Sequence, residues 1–574
     1  MINFNDLSKY TFFVFALLFP FSFLFSTLFI AKAFLIIFIS LVFVFQLLKA
    51  LKDKDFLTPK SILIVFLLLS LLSSFFSINK SLSFWESNFS FFILFSLFLL
   101  FVIARNVFKN KEDINVFIYC LCFSLIILSI IISTGIIKNQ LIDQLVLLIA
   151  IALGVSLYYI FSKKRKFEIA IYSIFSFVFL CALLIIGFKI SWLVVSLFAF
   201  FIFWKKVREN EFSFRNKKVI LSFLFFLIFF LLFLNTSFIG LSIEQSMKVS
   251  FNTVSSGIKS FIIGFGPGTF SYQYAKMFIP VSIEQGSSGF LTILSDFGLL
   301  GFLSFFLVFI YFSLKGFKSF LKNNSDTENI VFLITFVLFI ILFFWKIEII
   351  LLSFLFIFLG IFESFYNKDK IISFKPLLII FILFSLMSIC FFRYLFAEKL
   401  FTEAIDIHKD NLEEAFLKTE KASNLFQSSK YYIGLSQVYL LKATDIFDNN
   451  WNLDENFKKQ KEENENMVKG LASQSEIIAK KAIDIDPYNY LAWQNLAWVY
   501  ENTSFLIKDN SKEAIEALNK TIELSPKNYL AYFIKGRIYE SIKEKANALE
   551  EYKKALDIYP YEGLEEKIEE LTNL

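Results

Sequence analysis

The sequence predicts an all-α protein in two parts, a polytopic transmembrane helix bundle followed by a soluble helical-repeat domain. Three observations carry this. Apolar runs of about 17–24 residues recur as far as position 395, the length a helix needs to cross roughly 30 Å of hydrocarbon. The composition agrees: 57% of the 574 residues are hydrophobic, 83 of them are Phe, and mean hydropathy is +0.65, too apolar for a soluble surface. Charge then changes sign along the chain. Residues 1–395 carry about 33 Lys+Arg and 18 Asp+Glu, and residues 396–574 about 23 and 32, so the overall +6 joins a basic membrane part to an acidic tail.

The runs fall near 11–30, 33–49, 61–78, 87–104, 115–136, 141–161, 168–187, 190–204, 219–239, 291–314, 329–345, 347–363 and 375–395. They predict about 12–13 membrane helices, with turns near Lys32, Lys189 and Lys346. The first run is long and Phe-rich and has no small-residue cleavage site, which argues against a signal peptide.

Basic residues alternate between the two sets of connectors. Lys49–Lys60, Arg105–Lys111, Lys163–Lys166, Lys205–Lys218, Lys315–Lys322 and Lys368–Lys375 hold about 23, and the other connectors about 8. The positive-inside rule then puts the N-terminus in the cytoplasm, and the connector 240–290 and the tail outside.

Two elements interrupt the apolar pattern at 240–290. The first is Gly264-Phe265-Gly266-Pro267-Gly268-Thr269-Phe270. The second runs from Gln285-Gly286-Ser287-Ser288 into Leu291-Thr292-Ile293-Leu294-Ser295-Asp296-Phe297-Gly298-Leu299-Leu300-Gly301. The glycine element lacks the Gly-Lys-Ser/Thr ending of a phosphate-binding P-loop. Glycines there permit a turn over the bundle, or a close approach of backbone N–H groups to phosphate oxygens.

The tail, 396–574, is repetitive. Leu491-Ala492-Trp493 returns as Leu530-Ala531-Tyr532 after 39 residues, and Pro526 returns as Pro560 after 34. A period of 34 with aromatics, small residues and a closing proline is the tetratricopeptide pattern. Pro487, Pro526 and Pro560 close the second helix of each pair, and Gly536 and Ala497 mark close helix approach. A weaker unit covers about 415–445, and the Lys/Glu/Asn-rich stretch 449–468 reads as an insertion or an exposed helix. Stacked repeats build a groove for a protein partner, and the acidic balance argues against nucleic acid.

Metal and disulfide chemistry find no support. Cys120, Cys122, Cys181 and Cys390 lie in apolar runs, and His408 is the sole histidine.

The membrane layout, Gly264, Gly266, Gly268 and Phe270, and then Leu291, Leu294, Asp296, Gly298 and Gly301 resemble the O-antigen ligase/polymerase (Wzy/WaaL-type) superfamily. The resemblance covers 1–395 in layout and about 50 residues in motif, and tetratricopeptide tails occur in that superfamily. It implies a GT-C-like, metal-independent glycosyltransferase without a cofactor, in the bacterial cytoplasmic membrane. The enzyme would move a glycan from an undecaprenyl-diphosphate carrier to a lipid, protein or sugar hydroxyl. Such a reaction needs cations on the diphosphate and a base on the acceptor hydroxyl.

The chain departs from the family at both places. Lys189 stands where the family has an arginine, and Lys248, with Lys259 as the alternative, stands for a second. Lysine neutralises phosphate as a point charge, without arginine's bidentate fork. Ser287-Ser288 replace the family's histidine, so the base role passes to Asp296, Glu284 or Glu244. The expected site is therefore Asp296, Glu284 and Ser288 for chemistry, with Lys189, Lys248, Lys259, Gly264, Gly266 and Gly268 holding the donor. The alternative is a catalytically degenerate scaffold that recruits partners through its repeats. A transporter has less support, because no cluster of charges lies deep in the apolar runs.

Overall fold

The computed structural model describes residues 4–23, 28–53, 56–57, 62–134, 142–162, 166–207, 242–280, 285–322, 325–366, 371–372, 374–451, 458–504, 509–560 and 562–573. The chain divides into two compact units. The first comprises 1–76, 87–267 and 285–389, and the second 77–86, 268–284 and 390–574.

In the first unit the helices are α1 (Phe4–Leu18), α2 (Leu28–Asp53), α3 (Ile62–Phe75), α4 (Phe91–Val107), α5 (Lys111–Ser133), α6 (Ile142–Ser162), α7 (Lys166–Ile186) and α8 (Lys189–Lys206). After them come α9 (Ile243–Ser255) and α10 (Ile258–Ile263). Eight helices among the described residues have the length and apolarity to cross a bilayer, so the protein is membrane-embedded. Eleven of the thirteen expected spans fall on described helices, 11–30 is split between α1 and α2, and 219–239 lies outside the described residues.

One expected turn moves. α2 runs straight through Lys32, and the break comes earlier, where α1 gives way to a 3-10 turn at Phe19–Phe23. Pro20 is the cause: it has no N–H to donate, and its ring blocks helical continuation. The turns near Lys189 and Lys346 lie where expected, with Gly187 in the left-handed region ahead of α8.

The second unit takes α11 (Phe270–Met277) from the chain's middle. The first unit resumes with α12 (Gly289–Leu321), α13 (Asp326–Phe344) and α14 (Ile349–Ser364), every residue of α14 from Ile349 to Glu363 being buried. A two-residue antiparallel pairing joins Phe56–Leu57 to Ile371–Ile372. Helix α15 (Phe374–Ile407) contains the point at which the two units divide. Buried Arg105 and Glu363 each lie within a turn of the C-terminus of α4 and α14, which pack together.

The rest of the second unit is an α-solenoid. It contains α16 (Leu412–Leu425), α17 (Ser429–Trp451), α18 (Lys458–Ile485), α19 (Tyr490–Thr503), α20 (Ser511–Leu524), α21 (Tyr529–Ser541), α22 (Lys545–Ile558) and α23 (Glu562–Asn573). α17 pairs with α18, α19 with α20 and α21 with α22. Small residues let each pair close: Ala472, Ala479, Ala492, Ala497, Ala514 and Ala517 are all buried in one core. A side chain at Gly536 would meet the Tyr552 ring at 2.6 Å, so α21 and α22 touch there through a missing Cβ. Pro487, Pro526 and Pro560 each follow the second helix of a pair, as the periodicity predicts. The repeat extends to side chains, since the Trp493 indole donates to the Pro487 carbonyl at 2.9 Å and the Tyr532 hydroxyl to the Pro526 carbonyl at 3.3 Å.

Candidate functional site

The long middle connector is itself mostly helical. Ser242 caps α9 by accepting from the Gln245 N–H at 3.0 Å, while the Gln245 side chain returns to the Ser242 N–H, a reciprocal capping box. The glycine element follows α10 and packs directly on a break in α12.

Backbone meets backbone at that junction. Gly298 lies at φ 65°, ψ −167° inside α12, and Gly264 at φ 74°. A Cβ on Gly264 would lie 2.3 Å from the Asp296 carbonyl oxygen, and one on Gly298 would lie 2.6 Å from the Gly264 nitrogen. Only residues without a side chain permit this approach at positive φ. The Gly266 N–H donates to the Asp296 carbonyl at 2.9 Å, and the Ser73 hydroxyl donates to the same oxygen at 2.9 Å. The Gly264 N–H donates to the Ser260 carbonyl at 3.0 Å and so ends α10. One of these N–H groups closes a joint between the two motif halves and the other closes a helix, instead of facing a phosphate.

The expected site residues separate into distinct settings. Asp296 is fully buried at the joint. Ser288 is buried at the start of α12, where its hydroxyl donates to the Leu342 carbonyl at 3.2 Å, and Ser287 donates through both N–H and hydroxyl to the Ser246 hydroxyl at 2.9 Å. Lys248 is exposed on α9 and pairs with Glu244 at 2.7 Å. Lys259 is exposed on α10, and its ammonium donates to the Phe76 carbonyl. Lys189 opens α8, with its side chain outside the described residues, and Glu284 also lies outside them. Gly268 begins the middle segment of the second unit and has φ 80°.

A polar cluster absent from the expectation sits beside Ser287-Ser288. Gln285 clamps the turn between α13 and α14, donating to the Ile347 carbonyl at 2.8 Å and accepting from the Ile347 N–H at 3.1 Å. The Gly289 N–H donates to the Trp345 carbonyl at 2.9 Å, and the Trp345 ring meets Phe188, the residue before Lys189, edge-on at 5.0 Å between centroids. One residue past Ile347 lies Glu348, mostly buried. It accepts from the Gln144 amide at 2.5 Å and pairs with Lys346 at 3.0 Å. The sequence signal was an acid two residues from a lysine between two apolar runs, Lys346-Ile347-Glu348. Among the described residues, no three His, Cys, Asp or Glu side chains are grouped to hold a metal.

In the second unit loops between successive helices grip the inserted segments. Ser428 donates to the Glu86 carboxylate at 2.8 Å, and the Tyr394 hydroxyl to the Glu86 carbonyl at 3.2 Å. The Asp486 carboxylate accepts from the Asn79 amide at 2.8 Å and from the Tyr272 hydroxyl. Ser525 donates to the Ala275 carbonyl at 3.0 Å. Asp486 and Ser525 occupy equivalent places, each just after a pair's second helix, and Ser428 lies in the turn between α16 and α17. Burial pushes the Asp486 carboxyl up to about 6, helped by the Glu86 charge and opposed by the bonds from Tyr272 and Asn79.

A tetratricopeptide repeat family model matches residues 478–516, from late α18 through α19 into α20. That match and the paired helices around it give the second unit a tetratricopeptide-repeat region. Solved structures with some likeness include MamA, at 21% identity over 28% of this chain and 77% of that one, with a TM-score of 0.21. A thermophilic TPR protein of Thermus thermophilus gives 16% identity over 31% and 100%, with 0.20. Yeast Tom70 gives 11% identity over 83% and 94%, with 0.19. The scores are low, and the repeat assignment rests on the family match and the helix pairing. No curated protein matches the chain significantly.

Proposed function

We propose that this chain is a membrane glycan ligase or polymerase of the O-antigen type, taking a glycan from an undecaprenyl-diphosphate carrier to a lipid, protein or sugar hydroxyl. One observation carries the reading. The two motif halves that resemble the superfamily meet as one backbone joint, Gly264 and Gly266 on Asp296 and Gly298. The acceptor oxygen attacks the anomeric carbon, the carbon–oxygen bond to the diphosphate breaks, and undecaprenyl diphosphate leaves as the anion. Lys189 is assigned to that growing negative charge, with Lys248, or Lys259 as its alternative, as the second cation.

The acceptor's proton needs a base. Asp296 is fully buried, Ser288 is engaged with a carbonyl, Glu244 is paired with Lys248 and Glu284 lies outside the described residues; the role is assigned to Glu348, next to the turn that Gln285 clamps. In this reading the N-terminus is cytoplasmic, while the 240–290 connector and the repeats are extracytoplasmic. The repeat groove takes a protein partner. A catalytically silent scaffold is the second reading, favoured by the burial of Asp296 and Ser288.

The test is deletion of the gene, analysis of lipid-linked and surface glycan, and complementation with Lys189→Ala and Glu348→Gln. Accumulated lipid-linked glycan that wild type clears and both variants leave is the expected result. Surface glycan unchanged by deletion overturns the transferase reading and leaves the scaffold.

A further inference from the structure

Helices α9 and α10 are inside out for a water-facing segment. On α9 the buried residues are Ser246, Val249, Ser250, Thr253 and Val254, while Ile243, Met247 and Phe251 are exposed beside the polar Glu244, Lys248, Asn252 and Ser255. The exposed three recur at every fourth position and share one face. On α10 the buried residue is Ser260, and Ile258, Phe261 and Ile262 are exposed, Ile258 by 82%. Across the two helices four hydroxyl residues and two valines lie inside while six large apolar residues lie outside, an excess of exposed apolar surface that water disfavours and hydrocarbon favours.

The exposed row does not end on α10. α10 packs against α3 and α12. On α3 the exposed residues include Leu68, Leu72 and Phe75, followed by Phe76, and on α12 they include Leu300, Leu303 and Leu307. Those rows belong to apolar helices of the membrane unit, so the α9–α10 face continues a surface that meets lipid. Lys248 and Lys259 stand on the same helices, two ammonium groups against the one carboxylate of Glu244. That balance suits the phosphates of a headgroup layer, into which long lysine stems extend from an apolar face.

We propose that α9 and α10 form an interfacial hairpin embedded in one leaflet, with bilayer lipid as the occupant of the Ile243–Met247–Phe251 and Ile258–Phe261–Ile262 face. α10 ends at Ile263, so the hairpin holds the glycine joint at the level of the lipid headgroups. The inference rests on exposure and continuity, and holds whether or not the chain is a transferase.

Depth-dependent quenching tests it on the full-length protein in phosphatidylcholine vesicles. Cys120, Cys122, Cys181 and Cys390 are changed to Ala, and one environment-sensitive fluorophore is attached to Phe251→Cys, Ile258→Cys or Phe261→Cys. Asn252→Cys, exposed on the polar side of α9 with Glu244 and Lys248, is the reference. At the three apolar positions, doxyl-labelled lipid should quench at least about twofold more than aqueous iodide, with the order reversed at position 252. Iodide quenching at all four positions overturns the proposal. Resistance to both quenchers at the apolar positions also overturns it, since protein and not lipid would then cover the face.

Discussion

Asn79 donates a hydrogen bond of 2.8 Å to Asp486, a residue 407 positions later in the chain. The Tyr272 hydroxyl donates to the same carboxylate oxygen and accepts from the Asn79 amide at 3.2 Å. Three distant pieces of sequence therefore meet at one buried acid, and the loop between two repeats holds both inserted segments together. A buried polar network of this kind fixes which pieces meet more than it stabilises the whole.

The first prediction concerns pH. Asp486 titrates in the fold at about 6, above the ordinary 3.8. A raised carboxyl contributes stability that is complete below the unfolded value and is lost as pH rises through the folded one. The segments 77–86 and 268–280 should thus be held more tightly at pH 5 than at pH 7.5. The difference between these two pH values is on the order of 1.4 kcal/mol, because only the last unit below the folded value is still to be lost at pH 5 and each tenfold change in proton affinity is worth about 1.4 kcal/mol. Hydrogen-exchange protection factors of these segments, corrected for intrinsic rates, measure it. In Asp486→Asn the pH dependence should flatten, and equal slopes in both proteins would dismiss Asp486 as the titrating group.

The glycine joint gives the second. Gly298→Ala places a Cβ 2.6 Å from the Gly264 nitrogen at φ 65°, and backbone cannot yield as a flexible side chain can. The left-handed conformation alone costs about 1–2 kcal/mol, and the clash adds to it. Gly264→Ala should behave alike, because its Cβ would meet the Asp296 carbonyl. Gly257→Ala is the comparison: its φ of 172° suits any residue, and Ser260 is 3.7 Å away. Melting of purified protein in detergent should show large losses for the first two and a change within about 0.5 kcal/mol for the third.

Glu348 yields the third. Glu348→Ala leaves the buried Gln144 amide without its acceptor, which costs about 1–3 kcal/mol. Lys346→Ala removes a half-exposed partner and should cost about 1 kcal/mol or less. Glu348→Gln keeps an acceptor for Gln144 and should melt close to wild type. If Glu348 is the base, that same variant loses about 10²–10⁴-fold in kcat with little change in KM. Normal kcat in Glu348→Gln would remove it from the chemistry.

These sites differ in how far the sequence disclosed them. The spans were legible because length and apolarity suffice to mark a membrane helix, and the repeats because Pro487, Pro526 and Pro560 recur beside Leu-Ala-aromatic triplets. The turn expected near Lys32 lies instead at Phe19–Phe23, where Pro20 interrupts the helix, and Lys32 is buried within α2. The helix at Ile243–Ser255 had a readable start in Ser242 and Gln245, which the polar composition of the connector obscured. The Asn79–Tyr272–Asp486 meeting had no local signal. Each residue reads as an ordinary loop or turn residue, and only the fold brings them within hydrogen-bonding distance. Gly264 and Gly298 were each marked as special, but that each makes room for the other is a property of the pair.

The last prediction separates a shared network from independent contacts. Tyr272→Phe removes one donor to Asp486, and Asp486→Asn removes the acceptor's charge. The effects of two changes on one hydrogen-bonded cluster do not add. The coupling energy in a double-mutant cycle should be about 0.5–3 kcal/mol, read from protection of 77–86 and 268–280. Arg537→Ala supplies the reference. Its guanidinium makes two bonds to Glu501, at 2.7 and 2.6 Å, elsewhere in the repeats and shares no partner with Tyr272. Combined with Tyr272→Phe it should be additive to within about 0.5 kcal/mol. Coupling as large for Arg537 as for Asp486 would mean that the whole repeat unit loosens together. The inserted segments would then be held by the fold at large, and the carboxylate would have no role of its own in gripping them.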